Sequence, residues 1–345
     1  MTNRRQNWLL YGATGFTGGQ IIASALAAGH RPVLGGRNPS KLRAVAEAHG
    51  LDWRVIDLDN PAALAAALGE FTAVLHAVGP FLRTHRPMAE ACLSAGTHYL
   101  DLSAESAIYE GLAALDARAR DAGVMLMPGV GFEMVPIDCL ALRLKRAMPD
   151  ATSLEIGMDY ESTITPGSLR SAQLLPQTAP VRLNHRLVEL TRSSERFFDF
   201  GPEAAGGGRS NCVSSVFGEA AITWRSTGIP NVAGYFRPNP RMLELVAAVK
   251  SDADLAALPS GPSDAELASC PAVIVGEVRN DSGGTRAMRL ITPHVYRTTG
   301  LVAAAVVERV SRGQWRSGFQ TPASVFGEDF ILGFEGCRLE DWHAD

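Results

Sequence analysis

Over residues Trp8 to Pro128, short strand-like apolar runs alternate with longer stretches rich in Ala and Leu. In the longer stretches apolar side chains recur at helical spacing, as at Leu64, Leu68 and Phe71. The alternation predicts repeated β-α units around a parallel sheet. The predicted strands read WLLYG, PVLGG, WRVID, AVLHA, HYLDL and VMLMP.

After Pro128 the pattern changes. We expect a helix over residues 136–148 and a strand over residues 153–160. The glycine-rich segment 201–208 is either a connection or a lid. Later, the runs AVIVGEVRN and TRAMRLIT flank turn-forming residues at 281–284, which predicts an antiparallel hairpin.

These patterns predict an α/β protein with two domains, a number that suits a chain of 345 residues. The first is a Rossmann domain with a doubly wound parallel sheet, over residues 1–130. The second is an α+β domain with mixed or antiparallel sheet, over residues 131–293. The remaining segment, residues 294–345, begins with a helical run and is expected to return to the Rossmann domain.

Composition narrows the classes of partner. A net charge of −4, with 20% charged residues, gives no broad attraction for nucleic acid or for an anionic membrane surface. The five cysteines are scattered without a C-x-x-C pair, so neither a disulfide framework nor a metal site is predicted. The basic start, MTNRRQNW, lacks the apolar stretch of a signal peptide, and we expect a cytoplasmic protein.

The strongest local motif is a glycine turn that directly follows the first apolar strand and opens a helix. Gly12 permits the tight turn, Gly15 lets the backbone approach a pyrophosphate, and Gly18 lets the helix pack close to the strand. Helix-terminal N–H groups then face the phosphates. The turn predicts a dinucleotide site formed by Gly12, Thr14, Gly15, Phe16, Thr17 and Gly18.

The second strand ends in a basic turn rather than in the carboxylate that an NAD site uses for the ribose 2′-hydroxyl. Arg37 holds that position, where a guanidinium can pair with a 2′-phosphate and stack on adenine. Asn38, Ser40 and Lys41 follow in the same turn. This pattern favours NADP(H), and the alternative is a solvated basic turn without a ligand.

The sequence lacks the active-site residues that several other reaction classes require. None of the six tyrosines has a lysine four positions later, so the active-site pair of short-chain dehydrogenases is missing. H-E-x-x-H, G-x-S-x-G and G-x-x-x-x-G-K-[ST] are also absent. The cofactor is therefore expected to carry most of the chemistry.

Taken together, the motifs resemble the saccharopine dehydrogenase-like oxidoreductases, a family that includes trans-acting enoyl reductases. The resemblance extends over most of the chain. It rests on YGATGFTG, GGRNPSKL, AVGPF at Ala77, Val78, Gly79, Pro80 and Phe81, ACLSAGTHYLDLSAE, PGVGFEMVPID and TPASVFGEDF.

The resemblance implies NADP-type cofactors, a returning C-terminal segment, and an intervening domain that supports substrate binding and often dimerisation, so a homodimer is expected. Family members act on imines formed from amino acids or on carbon–carbon double bonds of lipid precursors. Here Glu133, Met134 and Ile137 depart from the commoner GFDSVPSD form, which favours a more apolar pocket.

Three of the family segments follow the fourth, fifth and sixth strands, at the sheet edge where ligands bind in such folds. The first, Ala77 to Phe81, is expected near the nicotinamide. The candidate catalytic residues are Glu105, Ser103 and Glu133, and the candidate substrate contacts are Asp101 and Phe132.

Structural alternatives stay open for several of these residues. Glu105 is a polar anchor or proton relay, or else a carboxylate that stabilises the start of a helix. Asp101 instead suits a structural role at a strand end. His76 and His98 are more typical of core histidines than of acids.

Hydride transfer from NADPH to a C=N or C=C bond of a small substrate is the leading hypothesis. A non-catalytic NADP(H)-binding regulator is one alternative. A reductase of carrier-tethered substrates is another, for which Arg182, Arg186, Arg192 and Arg196 would supply a basic surface, unless they form a solvated helix face.

Overall fold

The computed structural model describes residues 7–176 and 178–343. The basic segment over residues 1–6, for which no signal peptide is predicted, lies outside the described residues. The strands are β1 (Trp8–Tyr11), β2 (Val33–Gly36), β3 (Trp53–Val55), β4 (Ala73–His76), β5 (His98–Asp101), β6 (Met125–Met127), β7 (Ser153–Asp159), β8 (Ala179–Leu183), β9 (Arg186–Leu190), β10 (Glu195–Asp199), β11 (Arg209–Ser214), β12 (Asn231–Phe236), β13 (Ala272–Arg279), β14 (Thr285–Thr292), β15 (Gly318–Phe319) and β16 (Arg338–Trp342).

The α-helices are α1 (Phe16–Ala27), α2 (Pro39–His49), α3 (Pro61–Leu68), α4 (Phe81–Ala95), α5 (Ser106–Ala113), α6 (Asp116–Asp121), α7 (Val135–Ala147), α8 (Pro166–Ala172), α9 (Glu219–Thr227), α10 (Pro240–Ala248), α11 (Asp252–Ala256), α12 (Asp264–Ser269), α13 (Val295–Ser311) and α14 (Pro322–Phe326). A 3₁₀ turn covers Phe330–Gly333. Pro39 and Pro61 open α2 and α3, and the preceding Asn38 and Asn60 cap them by accepting a backbone N–H.

The chain divides into two compact units. The first comprises the residues through Ser103, then Ala107–Gly131 and Thr299–Gln320. The second comprises Ala104–Ser106, Phe132–Thr298 and the residues from Thr321 onward.

The sheet of the first unit is parallel, with the strand order β15-β6-β5-β4-β1-β2-β3 among the described residues. The order reverses beside β1, which pairs with β2 on one side and β4 on the other. Its apolar core includes Leu9, Val74, Tyr99 and Leu126 from the strands, covered by helical residues such as Leu64 and Met88. This is the predicted doubly wound Rossmann sheet, and the point of reversal is where ligands bind in such folds.

The second unit contains a mixed sheet. Its main path runs β10-β11-β12-β7-β13-β14-β16 in the part of the chain that the structure describes. β12 and β7 are parallel, the other neighbours on this path are antiparallel, and β8 and β9 form a hairpin beside β12. The predicted hairpin is present as β13 and β14. The fold class, a parallel Rossmann sheet with a second α+β unit, is confirmed.

The end of the chain differs from the sequence expectation. Residues 299–320 return to the first unit, where β15 extends the sheet beside β6. The residues from Thr321 onward instead join the second unit, because β16 forms backbone hydrogen bonds along β14. The expectation for residues 294–345 is therefore corrected for the segment TPASVFGEDF and the strand after it.

Two local expectations are also resolved. Arg182, Arg186 and Arg196 lie on β8, β9 and β10, so the arginine series does not form a helix face. The glycine-rich segment 201–208 connects β10 to β11 and closes with a hydrogen bond from the Gly208 N–H to the Gly201 carbonyl at 2.9 Å. This bond and the burial of Ala204 favour a packed connection.

Candidate functional site

In the glycine turn after β1, a side chain at either of two positions would clash with neighbouring backbone atoms. Gly12 has φ +109°, and a Cβ there would lie 2.7 Å from the Ala77 carbonyl oxygen. At Gly18, a Cβ would lie 2.5 Å from the Gly12 carbonyl oxygen. The turn, the loop after β4 and the first turn of α1 therefore approach one another closely because these two positions are glycines.

Gly15 has a different role in the same turn. Its nearest neighbour would be the Gly12 carbonyl oxygen, 3.5 Å from an added Cβ, so the backbone faces open space. Gly15 is the N-cap of α1 and makes no side-chain capping bond, and the first turn carries no acidic residue. Such a helix start offers backbone N–H groups and a positive dipole end to an anion. These features fit the pyrophosphate of a dinucleotide, with Thr14 and Gly15 exposed and Phe16 and Thr17 half-buried beside them.

The basic turn after β2 lies at the same edge of the sheet as the glycine turn, because β1 and β2 are parallel neighbours. Arg37 is exposed. Burial raises the pKa of the Tyr11 phenol to about 12, and the positive charge of Arg37 opposes this rise. The Asn38 side chain accepts hydrogen bonds from the Lys41 N–H at 3.0 Å and the Ser40 hydroxyl at 2.8 Å. Asn38 and Ser40 thus order the turn, and Arg37 and Lys41 remain as the cations that fit a 2′-phosphate.

The loop after β4 packs against the glycine turn and leads into α4. Gly79 and Pro80 are joined by a cis peptide bond, and Phe81 begins α4 with its side chain half-buried. Thr84 fixes this loop, because its hydroxyl donates to the Val78 carbonyl at 2.7 Å. With that proton used, the His76 Nε2–H is the donor to Thr84 Oγ1 at 2.9 Å.

The two strand histidines, His76 and His98, are both buried in the core. His76 is fully buried, and burial lowers its pKa to about 3, so the ring stays neutral and does not serve as an acid at neutral pH. His98 accepts the Met125 N–H at 3.1 Å, and its ring lies 4.2 Å from that of Trp315. These contacts favour the structural interpretation of both.

Asp101 ends β5 as a fully buried carboxylate. It accepts hydrogen bonds from the Tyr99 hydroxyl at 2.6 Å, the Ser103 hydroxyl at 2.6 Å, the Ser103 N–H at 2.9 Å and the Gly129 N–H at 3.0 Å. Burial raises its pKa, and these hydrogen bonds oppose that rise. The bonds tie the loops after β5 and β6 together, which favours a structural role for Asp101 and Ser103.

Glu105 precedes α5 and belongs to the second unit. Its side chain is buried, and Oε2 accepts the Ala104 N–H at 2.8 Å. This contact is of the type expected for a carboxylate that orders a helix start. The relay and the structural interpretation of Glu105 both stay predictions.

Phe132 and Glu133 lie where the chain enters the second unit. The Phe132 ring is buried and packs edge-on against the Tyr160 ring, with centroids 5.5 Å apart. Glu133 is half-buried, and burial raises the pKa of its carboxyl. Tyr160, directly after β7, has its pKa raised by burial and also by the charges of Glu133 and Glu219.

The structure adds three residues that the sequence analysis did not select: Tyr160, Glu219 and Tyr296. The Tyr296 hydroxyl donates to Ser168 Oγ at 3.0 Å and accepts the Thr165 N–H at 3.1 Å. Glu219 is buried, and burial raises its pKa to about 7. The negative charge of Glu133 also raises the pKa of Glu219 and the pKa of Tyr296, both of which lie in the second unit.

Within residues 7–176 and 178–343, no group of three or more His, Cys, Asp or Glu side chains is arranged to hold a metal ion. Over the same ranges, no helix is long and apolar enough to cross a membrane.

Comparison with known proteins agrees with a dinucleotide site at the glycine turn. Residues 8–127 match the family model of the saccharopine dehydrogenase NADP binding domain. A trans-acting enoyl reductase of Mycobacterium ulcerans (strain Agy99) is 36% identical over 154 residues, which cover 42% of this chain and 37% of that protein. One from Mycobacterium tuberculosis (strain ATCC 25618 / H37Rv) is 35% identical over the same extent. The match therefore spans little more than a third of the length of these curated relatives.

Among solved structures, the apo saccharopine dehydrogenase (L-Glu forming) of Saccharomyces cerevisiae has a TM-score of 0.64 at 14% identity, covering 98% of this chain and 100% of that chain. At such identity the likeness shows the fold alone. The family model confirms the predicted resemblance and the predicted NADP-type cofactor, NADP(H), for the first unit.

Proposed function

We propose that this chain, whose first unit matches the saccharopine dehydrogenase NADP-binding family, is an NADPH-dependent reductase of a polarised double bond in a small substrate. The observation that carries the proposal is the glycine turn at the point where the strand order reverses. Gly12 and Gly18 hold the turn closed, and Gly15 leaves the helix start open to a pyrophosphate.

A carbon–carbon double bond conjugated to a thioester carbonyl is the favoured substrate group. The basis is that the relatives with the shared motifs are trans-acting enoyl reductases. A C=N bond remains the alternative reaction that the same cofactor would support. When bound, NADPH supplies the hydride for either reduction.

The chain's own residues bind and orient the reactants. Arg37 and Lys41 hold the 2′-phosphate, and the loop of Gly79 to Phe81 bounds the space beside the glycine turn. Within the second unit, Phe132 offers an apolar contact and Glu133 a polar one. Glu105 remains a candidate polar contact, whereas Asp101 and Ser103 hold together the loops after β5 and β6.

The wider setting is also a proposal. We expect a cytoplasmic homodimer that acts on a small molecule and binds neither nucleic acid nor membrane. Light scattering after size-exclusion chromatography tests the dimer. A regulator that binds NADP(H) without catalysis would show cofactor binding and no turnover.

The first experiment tests the cofactor site with a matched pair of variants. Gly18→Ala would place a Cβ 2.5 Å from the Gly12 carbonyl oxygen, whereas Gly19→Ala meets nothing within 4 Å. Calorimetric titration should therefore show NADPH binding weakened at least tenfold in Gly18→Ala and unchanged in Gly19→Ala, about 1.4 kcal/mol or more for the former. Equal binding by both variants would remove the turn from the site.

The second experiment tests the reaction. The purified chain is mixed with NADPH and with crotonyl thioesters, presented on coenzyme A and on an acyl carrier protein, and separately with imines formed from an oxo acid and an amino acid. Loss of the reduced-nicotinamide absorbance with the enoyl thioesters supports the proposal. Loss with imines alone would replace it by the alternative, and turnover on the carrier alone would identify a carrier-tethered substrate.

A further inference from the structure

A buried histidine ends β4, directly before the loop that leads to α4. His76 is fully buried, and its ring contacts three aromatic rings of the first unit. The ring centroids of Tyr11, Phe81 and Tyr99 lie 5.7 Å, 5.6 Å and 6.3 Å from that of His76. A phenylalanine would suit such aromatic surroundings equally well. Packing alone therefore does not account for an imidazole at this position.

The two ring nitrogens of His76 differ in their hydrogen bonding. Nε2 lies 2.9 Å from Thr84 Oγ1, and it donates its proton there because the Thr84 proton goes to the Val78 carbonyl. Nδ1 is then an acceptor, and no residue that the structure describes donates a hydrogen bond to this buried atom. An unpaired buried acceptor lowers the stability of the folded chain. What the imidazole contributes in return is its bond to Thr84.

The Thr84 hydroxyl joins the strand, the loop and the helix at one oxygen atom. Thr84 lies near the start of α4 and is half-buried. Its hydroxyl donates to the Val78 carbonyl at 2.7 Å, and the same oxygen lies 3.3 Å from the Pro80 carbonyl. Because the Nε2–H of His76 occupies the acceptor side of this oxygen, the hydroxyl proton points towards the loop carbonyls. His76 thus sets the orientation of the group that holds the loop.

The loop held in this way lies against the glycine turn of the same unit. The Ala77 N–H donates to the Tyr11 carbonyl at 2.7 Å, which fixes the first loop residue to the end of β1. A Cβ at Gly12 would lie 2.7 Å from the Ala77 carbonyl oxygen and 2.9 Å from Val78 Cγ2. Thr84 holds the carbonyl of that same valine. A shift of Val78 would therefore change the space beside the glycine turn.

We propose that His76 and Thr84 are positioning residues for the nicotinamide half of NADPH, and that they act by holding the loop of residues 77–81 against the glycine turn. This inference rests on the proposed function, in which that loop bounds the cofactor space. Thr84 acts through the Val78 carbonyl, and His76 acts through Thr84. Hydrogen bonds that fix a binding loop in advance strengthen binding, because the loop loses less freedom when the ligand arrives.

The effect should be confined to one half of the cofactor. The 2′-phosphate is proposed to bind Arg37 and Lys41, in the turn after β2, and β2 and β4 pair with opposite sides of β1. Asn38 orders that turn through its own hydrogen bonds to Ser40 and Lys41. These bonds do not involve the loop of residues 77–81. Binding of the adenosine half should therefore be independent of the Thr84 hydroxyl.

The first test compares two ligands on matched variants by calorimetric titration. Thr84→Val keeps the shape of the side chain and removes the hydroxyl, and NADPH should bind to it about tenfold or more weakly. Thr84→Ser restores the hydroxyl and should recover most of the affinity. Adenosine 2′,5′-bisphosphate, which lacks the nicotinamide half, should bind Thr84→Val as well as it binds the unmodified chain. Ser94→Ala is the control, because it removes an exposed hydroxyl that bonds to a carbonyl within the same helix.

The two ligands separate positioning of the loop from a general loss of structure. Weaker binding of both ligands to Thr84→Val, in equal proportion, would show that the hydroxyl supports the fold as a whole and would overturn the proposal. Unchanged binding of NADPH to Thr84→Val would overturn it as well. If the unmodified chain binds no NADPH, the proposed function fails, and the positioning role fails with it.

The second test removes the histidine. His76→Phe keeps an aromatic ring, and it loses both the Nε2 bond and the unpaired Nδ1. Its melting temperature should stay close to that of the unmodified chain, while NADPH should bind about threefold or more weakly. Because His76 acts through Thr84, adding His76→Phe to Thr84→Val should cause little further loss of NADPH affinity. Unchanged binding by His76→Phe, or a loss in the double variant equal to the two single losses combined, would overturn the role of His76.

Discussion

Replacement of Glu219 by Gln should change how the stability of the protein depends on pH. In the folded protein burial raises the pKa of Glu219 from 4.5 to about 7. At about 1.4 kcal/mol for each pH unit, this difference corresponds to about 3 kcal/mol. Because the folded state binds the proton more tightly than the unfolded state, the stabilisation is complete below pH 4.5 and is lost as the pH rises to about 7.

The glutamine variant carries a neutral amide at every pH and does not undergo this loss. Its melting temperature relative to the unmodified chain should therefore rise between pH 4.5 and about 7 and then level off. For a unit of this size, about 3 kcal/mol corresponds to about 6–12 °C. Glu133→Gln should reduce the slope of the unmodified chain, because it removes the neighbouring charge.

Thermal unfolding followed by circular dichroism in buffers across this range is the assay. Glu266→Gln serves as the control, since the Glu266 pKa of about 2 leaves it ionised throughout and predicts a constant offset. Parallel melting curves for the unmodified chain and Glu219→Gln, at every pH, would refute the reasoning from burial.

The remaining predictions concern the cofactor turn, the loops and the chain end. Arg37→Ala should remove most of the preference for NADPH over NADH, which we expect to be about 1.5–3 kcal/mol. Arg43→Ala is the control and should keep this preference, because Arg43 lies on the same segment with its guanidinium over the Trp53 ring. Calorimetric titration of each variant with both cofactors tests this prediction. Asp101→Ala should lower stability by about 3 kcal/mol or more, measured by denaturant unfolding, because it leaves buried donors unpaired. Glu105→Gln should lower kcat/KM about 10²-fold if Glu105 relays a proton, and only the melting temperature if it orders α5. A chain that ends at Pro293 loses β15 and β16, and should be insoluble or bind NADPH poorly.

Much of the first unit could be predicted because its signals are local. A strand, a glycine turn and a helix follow one another in the sequence, and the structure contains them as β1, the turn at Gly12 and α1. The starts of α2 and α3 were equally local, since Pro39 and Pro61 fix the backbone there. The predicted hairpin of β13 and β14 likewise depends on a short turn.

The pairing of the chain end and the burial of Glu219 could not be predicted in the same way. Whether β16 joins a sheet depends on a partner strand about 50 residues earlier, and strand pairing over such distances leaves no local pattern. Glu219 begins a short helix and looks like an ordinary acidic first-turn residue in the sequence. Its unusual character comes from burial against Gly234 on the next strand and from the charge of Glu133, which lies far away in the chain.

The measurement that tests the reductase proposal most directly is isotope transfer. The purified chain is incubated with NADPH carrying deuterium at the transferable C4 position and with a crotonyl thioester, and the product is analysed by mass spectrometry. We predict a saturated thioester with one deuterium at the β-carbon, together with an equal amount of NADP⁺. NADPH that binds tightly but passes no deuterium to the enoyl thioesters or the imines would contradict the account.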